Sequence, residues 1–193
     1  MIKYYSNREL SDKLNINLAK WKRWSREFLP PDPLGGLQSG YARQYHPNDA
    51  FTVFLGGQLV SALRYTIPET RIILSDLKQW LLDKRFYLDL EEDAAPIDKI
   101  DPFVCEYRVF INKEMRKNVP STHFNYIIRG IISDEPSEHN GFSIRNEKYI
   151  ETRIDITDKN AARLPPSGVK ILYITEIYRC FTDDLAENSM EKK

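Results

Sequence analysis

The sequence has little cysteine, no long apolar run, and no excess of charge of either sign. Only two cysteines, Cys105 and Cys180, occur in 193 residues. Two thiols cannot by themselves build a disulfide framework or a four-ligand zinc site. Free buried thiols are the expected state, with pairing open only if the first and last strands of the second half lie side by side. No apolar stretch approaches the roughly 18 residues of a membrane span. The opening Met1-Ile2-Lys3-Tyr4-Tyr5-Ser6 lacks the apolar core of a signal peptide. A reducing cytoplasm is the simplest setting. GxGxxG, P-loop and HExxH motifs are missing. His46, His123 and His139 have no metal-site spacing. The expectation is therefore no metal, no cofactor and no catalysis: a binding protein rather than an enzyme. At 41% hydrophobic residues the chain is expected to fold, not to stay disordered.

Lys plus Arg numbers 28 and Asp plus Glu 28, a net charge of zero. Taken as an average, that disfavours a nucleic-acid partner. Taken by segment it does not. Residues 1–45 carry eight basic and four acidic side chains, residues 46–90 five of each, and residues 91–193 fifteen basic and nineteen acidic. A basic segment of net +4 is joined to an acidic remainder of net −4, a sign of divided labour.

The first half has helical spacing. Ser6-Asn7-Arg8-Glu9 fits a capping box, with Leu10 and Leu14 on one face behind it. After the break at Asn15-Ile16-Asn17, Asn17 is placed to cap a second helix. Trp21, Trp24 and Phe28 form that helix's apolar stripe, and Pro30-Pro31 ends it. Two short helices joined by a tight turn outline a helix-turn-helix. Gly35, Gly36 and Gly40 followed by Tyr41-Ala42-Arg43-Gln44-Tyr45 suggest a loop and a short β-ribbon. Pro47 opens a third helix with Phe51, Leu55, Leu59 and Leu63 as its stripe. Thr66-Ile67-Pro68-Glu69 is a second capping box, opening a fourth helix that carries Ile73, Leu77 and Trp80 or Leu81 and ends near Leu82 to Arg85.

Residues 89–102 are acidic and proline-bearing and read as a linker. The rest alternates with the period of strands: Cys105 to Ile111, Phe124 to Ile132, Ile150 to Ile156, and an apolar run from Val169 to Phe181. Breaks are expected at Asn118 to Ser121, Ser133 to Gly141 and Leu164 to Gly168. The predicted fold class is α+β. An all-α domain spans residues 1–88, the linker residues 89–102, a small antiparallel β barrel or sandwich residues 103–182, and a polar tail residues 183–193. Tyr107, Tyr126, Tyr149, Tyr173 and Tyr178 either line a ligand pocket or pack the β core.

Lys20, Lys22, Arg23 and Arg26 interleave with the apolar stripe of the second helix and so point away from the core. Asn17 stands at that helix's start, where a recognition helix touches base edges. Arg43 lies beside two tyrosines in the ribbon. These residue types suit DNA: guanidinium and ammonium groups contact phosphates and base edges, and the helix fits the major groove. The bland alternative is a helix made soluble by its charges.

The run Tyr4-Tyr5-Ser6-Asn7-Arg8-Glu9-Leu10-Ser11-Asp12-Lys13-Leu14-Asn15-Ile16-Asn17, followed by Trp21-Lys22-Arg23-Trp24, resembles the MerR-type winged helix-turn-helix. So does Gly40-Tyr41-Ala42-Arg43-Gln44-Tyr45-His46-Pro47-Asn48-Asp49, which resembles that family's wing and its entry into the third helix. The stretch from Ile67 to Leu82 is similar to its fourth helix. The resemblance covers about residues 2–85. It implies a winged helix-turn-helix domain in a transcription regulator that binds double-stranded DNA as a homodimer. It assigns DNA contacts to Lys22 and Arg23 and phosphate contacts to Tyr41 and Arg43. Members of that family continue into a long coiled-coil helix. Residues 83–102 show no sustained heptad pattern, and Pro96 and Pro102 interrupt them. Dimerisation by the β half, or another arrangement on DNA, is the expectation here. The β half is also expected to sense a small-molecule effector or mediate assembly. The competing reading is a protein-interaction or assembly adaptor that does not touch DNA.

Overall fold

A computed structural model describes residues 4–32, 42–87, 104–114, 123–154 and 168–187. The linker at 89–102 therefore lies outside the described residues. The elements run β1 (Tyr5–Ser6), α1 (Asn7–Lys13), α2 (Leu18–Phe28), β2 (Gln44–Tyr45), α3 (Pro47–Ser61), α4 (Ile67–Asp83), β3 (Glu106–Glu114), β4 (His123–His139), β5 (Phe142–Ile154), β6 (Val169–Leu172) and α5 (Ile174–Glu187). The fold is α+β with antiparallel sheets. Two compact units form: Met1–Ala94 with Ile177–Lys193, and Ala95–Glu176.

In the first unit every expected helix start is present for the expected reason. Ser6 Oγ accepts from the Glu9 N–H while Glu9 Oε2 accepts from the Ser6 N–H, completing the capping box of α1. Thr66 and Glu69 repeat the arrangement at α4. Asn17 Oδ1 accepts from the Ala19 and Lys20 N–H groups at the head of α2. Caps of this kind contribute about 1 kcal/mol each. The turn between α1 and α2 is closed by Asn15 in the left-handed region, at φ 49°, which asparagine tolerates. It is held by the Ser11 hydroxyl donating to the Ile16 carbonyl at 2.6 Å. β1 and β2 pair antiparallel through Tyr5 with Tyr45 and Ser6 with Gln44, tying the segment after α2 back to the start of the chain.

α3 is the centre of this unit. Ala50, Phe51, Val53, Phe54, Leu55, Gly56, Gly57 and Leu59 are all buried, so the helix is covered on nearly every side rather than along one stripe. α2 covers one side: a Cβ on Gly56 would overlap the Phe28 ring, and one on Gly57 the Trp24 ring. α5 covers another, with Phe181 against Phe51 and Phe54 at ring separations of 5.2 and 5.4 Å and Tyr178 against Phe51 at 5.1 Å. Lys13 Nζ also donates to the Leu185 carbonyl at 2.9 Å. Leu63, expected on the stripe of α3, lies beyond the helix end.

The second unit is a four-stranded antiparallel sheet in the order β5-β4-β3-β6. Tyr107, Val109 and Ile111 of β3 and Tyr126 and Ile128 of β4 are buried on one face with Leu172 of β6. The other face is a ladder of charge and rings. Arg108 bridges Glu106 and Glu147 at 2.6 and 2.7 Å. Arg129 pairs with Glu151 and stacks over Phe110 and Tyr149. Hydrogen bonding from Arg153, and then from Arg129, holds the Glu151 carboxyl below the usual carboxylate range. β3 opposes β4 only as far as Ile131. After the register shift between Ile131 and Ser133, β4 and β5 continue as a two-stranded ribbon. The ribbon turns at Asn140-Gly141, both at positive φ, as a tight I′ hairpin needs.

Several expectations change. The run from Val169 to Phe181 is a strand only to Leu172 and then a helix. Its residues Tyr178, Phe181 and Leu185 recur at helical spacing and reach the α3 core. For the same reason residues 183–187 are helical rather than a polar tail, and the first unit is neither all-α nor confined to residues 1–88. Among the described residues the sheet is open, not a barrel or sandwich. Ser133 to His139 belongs to β4, because the hairpin partner pairs residues whose composition suggested a break. Both cysteines are exposed rather than buried, Cys180 on α5 and Cys105 just before β3. The expected breaks at 118–121 and 164–167 lie outside the described residues.

Candidate nucleic-acid interface

α2 is an eleven-residue amphipathic helix with its two halves cleanly separated. At about 100° per residue, Trp21, Trp24, Ser25 and Phe28 turn inward while Ala19, Lys22, Arg23 and Arg26 share an outward arc of about 100°. Trp21, Trp24 and Ser25 are buried and Lys22, Arg23 and Arg26 exposed. Among the described residues none of those three cations has an ion-pair partner. Lys20 lies on the flank, its Nζ 4.6 Å from the centre of the Trp24 ring, which fixes its stem along the helix. No acidic residue occupies the first turn. Asn17 is exposed, but its side-chain oxygen is committed to the cap, so the amide N–H₂ is what it can offer a ligand.

The one acidic side chain of α2, Glu27, is neutralised from α4. Arg71 reaches Glu27 Oε2 at 2.6 Å and donates through Nε to the Glu27 carbonyl at 2.7 Å, also closing the C-terminal end of α2. The two residues are 44 apart in the chain, so no local pattern announces the pair.

Arg43 is half-buried just before β2. Its guanidinium donates to the Pro30 carbonyl at 2.9 Å and lies over the Tyr45 ring at 5.6 Å. A cleft of about 420 Å³ runs between α2 and this segment, and Lys22, Arg26, Arg43 and Asp32 line it together with Asn7 and Tyr45. The Tyr45 hydroxyl makes hydrogen bonds with Asn7 Oδ1 at 2.6 Å and Ser25 Oγ at 2.7 Å on the cleft's inner wall. Burial raises the Tyr45 phenol above its ordinary pKa, so it stays a neutral hydrogen-bonding group. Asn7 is a lining residue that sequence reasoning missed; its one local signal is its place beside the Ser6 cap.

Of the seven residues singled out from sequence, the structure brings Lys22, Arg26 and Arg43 to one cleft and puts Arg23 beside them on the same arc. It gives Asn17 a capping role and Lys20 a flanking one. Tyr41 lies outside the described residues. His46, read as a cap or a phosphate contact, caps α3: its Nδ1 accepts from the Asn48 N–H at 3.3 Å. The five tyrosines do not converge on a pocket. Tyr107 and Tyr126 are buried in the sheet, Tyr149 and Tyr173 are exposed against arginines, and Tyr178 packs on Phe51. Among the described residues no helix is long and apolar enough to cross a membrane. Comparison with known protein families and with curated proteins finds no match for the chain.

Proposed function

We propose that the protein is a sequence-specific DNA-binding transcription regulator of MerR type. It is cytoplasmic, acts as a homodimer on double-stranded DNA, and is not an enzyme. α2 is the recognition helix, and the segment carrying Arg43 is the wing that follows the phosphates. The observation that carries this reading is the outward arc of Lys22, Arg23 and Arg26, held rigid by buried Trp21 and Trp24. Arg43 stands at the same cleft as two of those cations. A helix about 10–12 Å across fits the B-DNA major groove, and cations on its outer arc reach both base edges and flanking phosphates. The sheet unit serves effector sensing or assembly.

Selection of bound sequences from random duplex DNA with the full chain tests the reading, and a palindromic consensus is expected. Arg23→Ala and Arg43→Ala should each weaken binding without changing the circular dichroism spectrum. Loss of a phosphate contact should lower the salt slope by about one. Unchanged affinity of both variants at low salt, by fluorescence anisotropy, sinks the site assignment. No selected sequence at all turns the helical unit into a protein-docking module.

A further inference from the structure

The sheet unit ends on one side in an open edge of unusual length. β5 pairs with β4 along one side, and among the described residues nothing pairs with the other. It is thirteen residues long, from Phe142 to Ile154, and contains neither proline nor glycine. Natural sheets normally blunt such an edge by shortening, proline or clustered charge. The opposite edge, β6, is short at four residues. The outer part of β4 carries Pro136 with Asp134, Glu135 and Glu138. Among the described strands β5 keeps a long edge with every backbone donor, and its five charges, Arg145, Glu147, Lys148, Glu151 and Arg153, alternate in sign rather than cluster. Its even-numbered residues share one face, and Phe142, Ile144 and Ile150 on that face are 73%, 39% and 53% exposed.

We propose that β5 is the dimerisation edge, pairing antiparallel with β5 of a second copy about a two-fold axis at Lys148 to form one continuous sheet. The argument for a second copy is that the strand is complementary to itself. A two-fold axis normal to the sheet keeps faces together, so only registers centred on a residue are allowed. Centred on Lys148, all thirteen positions pair. Arg145 then faces Glu151 of the second copy, twice by symmetry, and Phe142 faces Ile154. Centred on Tyr149, Glu147 would face Glu151 and Arg145 would face Arg153, four like-charged contacts. Centred on Glu147, two glutamates meet and the last two positions lose their partners. The single like pair in the favoured register, Lys148 with its copy, is exposed, and long stems let both ammonium groups reach water. This inference concerns the sheet unit alone and stands whether or not the helical unit binds DNA.

The test reads mass and cross-linking in the full chain. Sedimentation should give twice the chain mass. In a Cys105→Ser/Cys180→Ser background, Lys148→Cys puts its Cα about 4.5–5.5 Å from its counterpart, inside the reach of a disulfide. Mild oxidation should therefore yield a covalent dimer. Ser143→Cys, ten positions from its own counterpart or about 33 Å, should not cross-link. Arg145→Glu turns the two contacts between copies repulsive, and with them the exposed Arg145–Asp134 pair within each ribbon; it should raise the dimer dissociation constant about tenfold at unchanged circular dichroism. A monomer at high micromolar concentration overturns the proposal. So does a dimer that persists while Lys148→Cys fails to cross-link. DNA affinity is measured separately, so failure of the β5 dimer and failure of DNA binding are read apart.

Discussion

His46 shows how a single side chain joins local structure to solution behaviour. Its Nδ1 is an acceptor in the cap of α3, a role only the neutral ring can fill. Burial lowers its pKa, with Asp49 acting in the opposite direction. A histidine depressed in the folded state stabilises the fold above its unfolded pKa of about 6.5. That contribution is lost as pH falls through this value towards the folded one. Asn at the same place can cap without titrating. The expected outcome is that the difference in Tm between wild type and His46→Asn shifts in favour of the variant between pH 7.5 and pH 5.5. A constant difference across that range refutes the neutral-cap argument.

At the scale of elements, the seat of α2 on α3 decides how the basic arc is held. Gly56 and Gly57 stand in the interior of α3, where glycine costs about 1 kcal/mol relative to alanine. They are there because the Phe28 and Trp24 rings occupy the space a Cβ needs. Gly57→Ala gains helix propensity but drives a methyl into the Trp24 ring, and overpacking of a close-packed site costs about 1–3 kcal/mol. The variant should therefore unfold at lower urea and, on the proposed reading, bind DNA more weakly as Trp24 shifts α2. A Gly57→Ala protein more stable than wild type would mean that the ring yields and the close seat is not required.

At the scale of the whole molecule, the last described helix completes the first unit. Phe181 lies between Phe51 and Phe54, and Tyr178 lies on Phe86 and Phe51. Phe181→Ala removes a buried ring and should cost about 3–5 kcal/mol, seen as a lower urea midpoint at unchanged slope. A fragment ending near residue 90 lacks this helix and leaves Phe51 and Phe54 uncovered. It should lose most of its thermal stability, so DNA-binding measurements belong on the full chain. A fragment as stable as the full chain would refute the view that α5 is part of this core.

Local features follow from the order of the amino acids alone. Caps at Ser6, Asn17 and Thr66, the inward tryptophans of α2 and the outward Lys22, Arg23 and Arg26 follow from side-chain chemistry and helical spacing within a few residues. The alternation of β3 likewise marks which face is buried. The remaining features depend on packing between residues far apart in the chain. Arg71 neutralises Glu27 from another helix, and Arg43 comes to the cleft of Lys22 and Arg26. Ser133 to His139 is held as a strand by its hairpin partner. The apolar run after Val169 has the local composition of a strand because β-branched residues cluster at its start. Past Leu172 its aromatics at helical spacing find the exposed side of α3, and burial against Phe51 and Phe54 outweighs local β propensity.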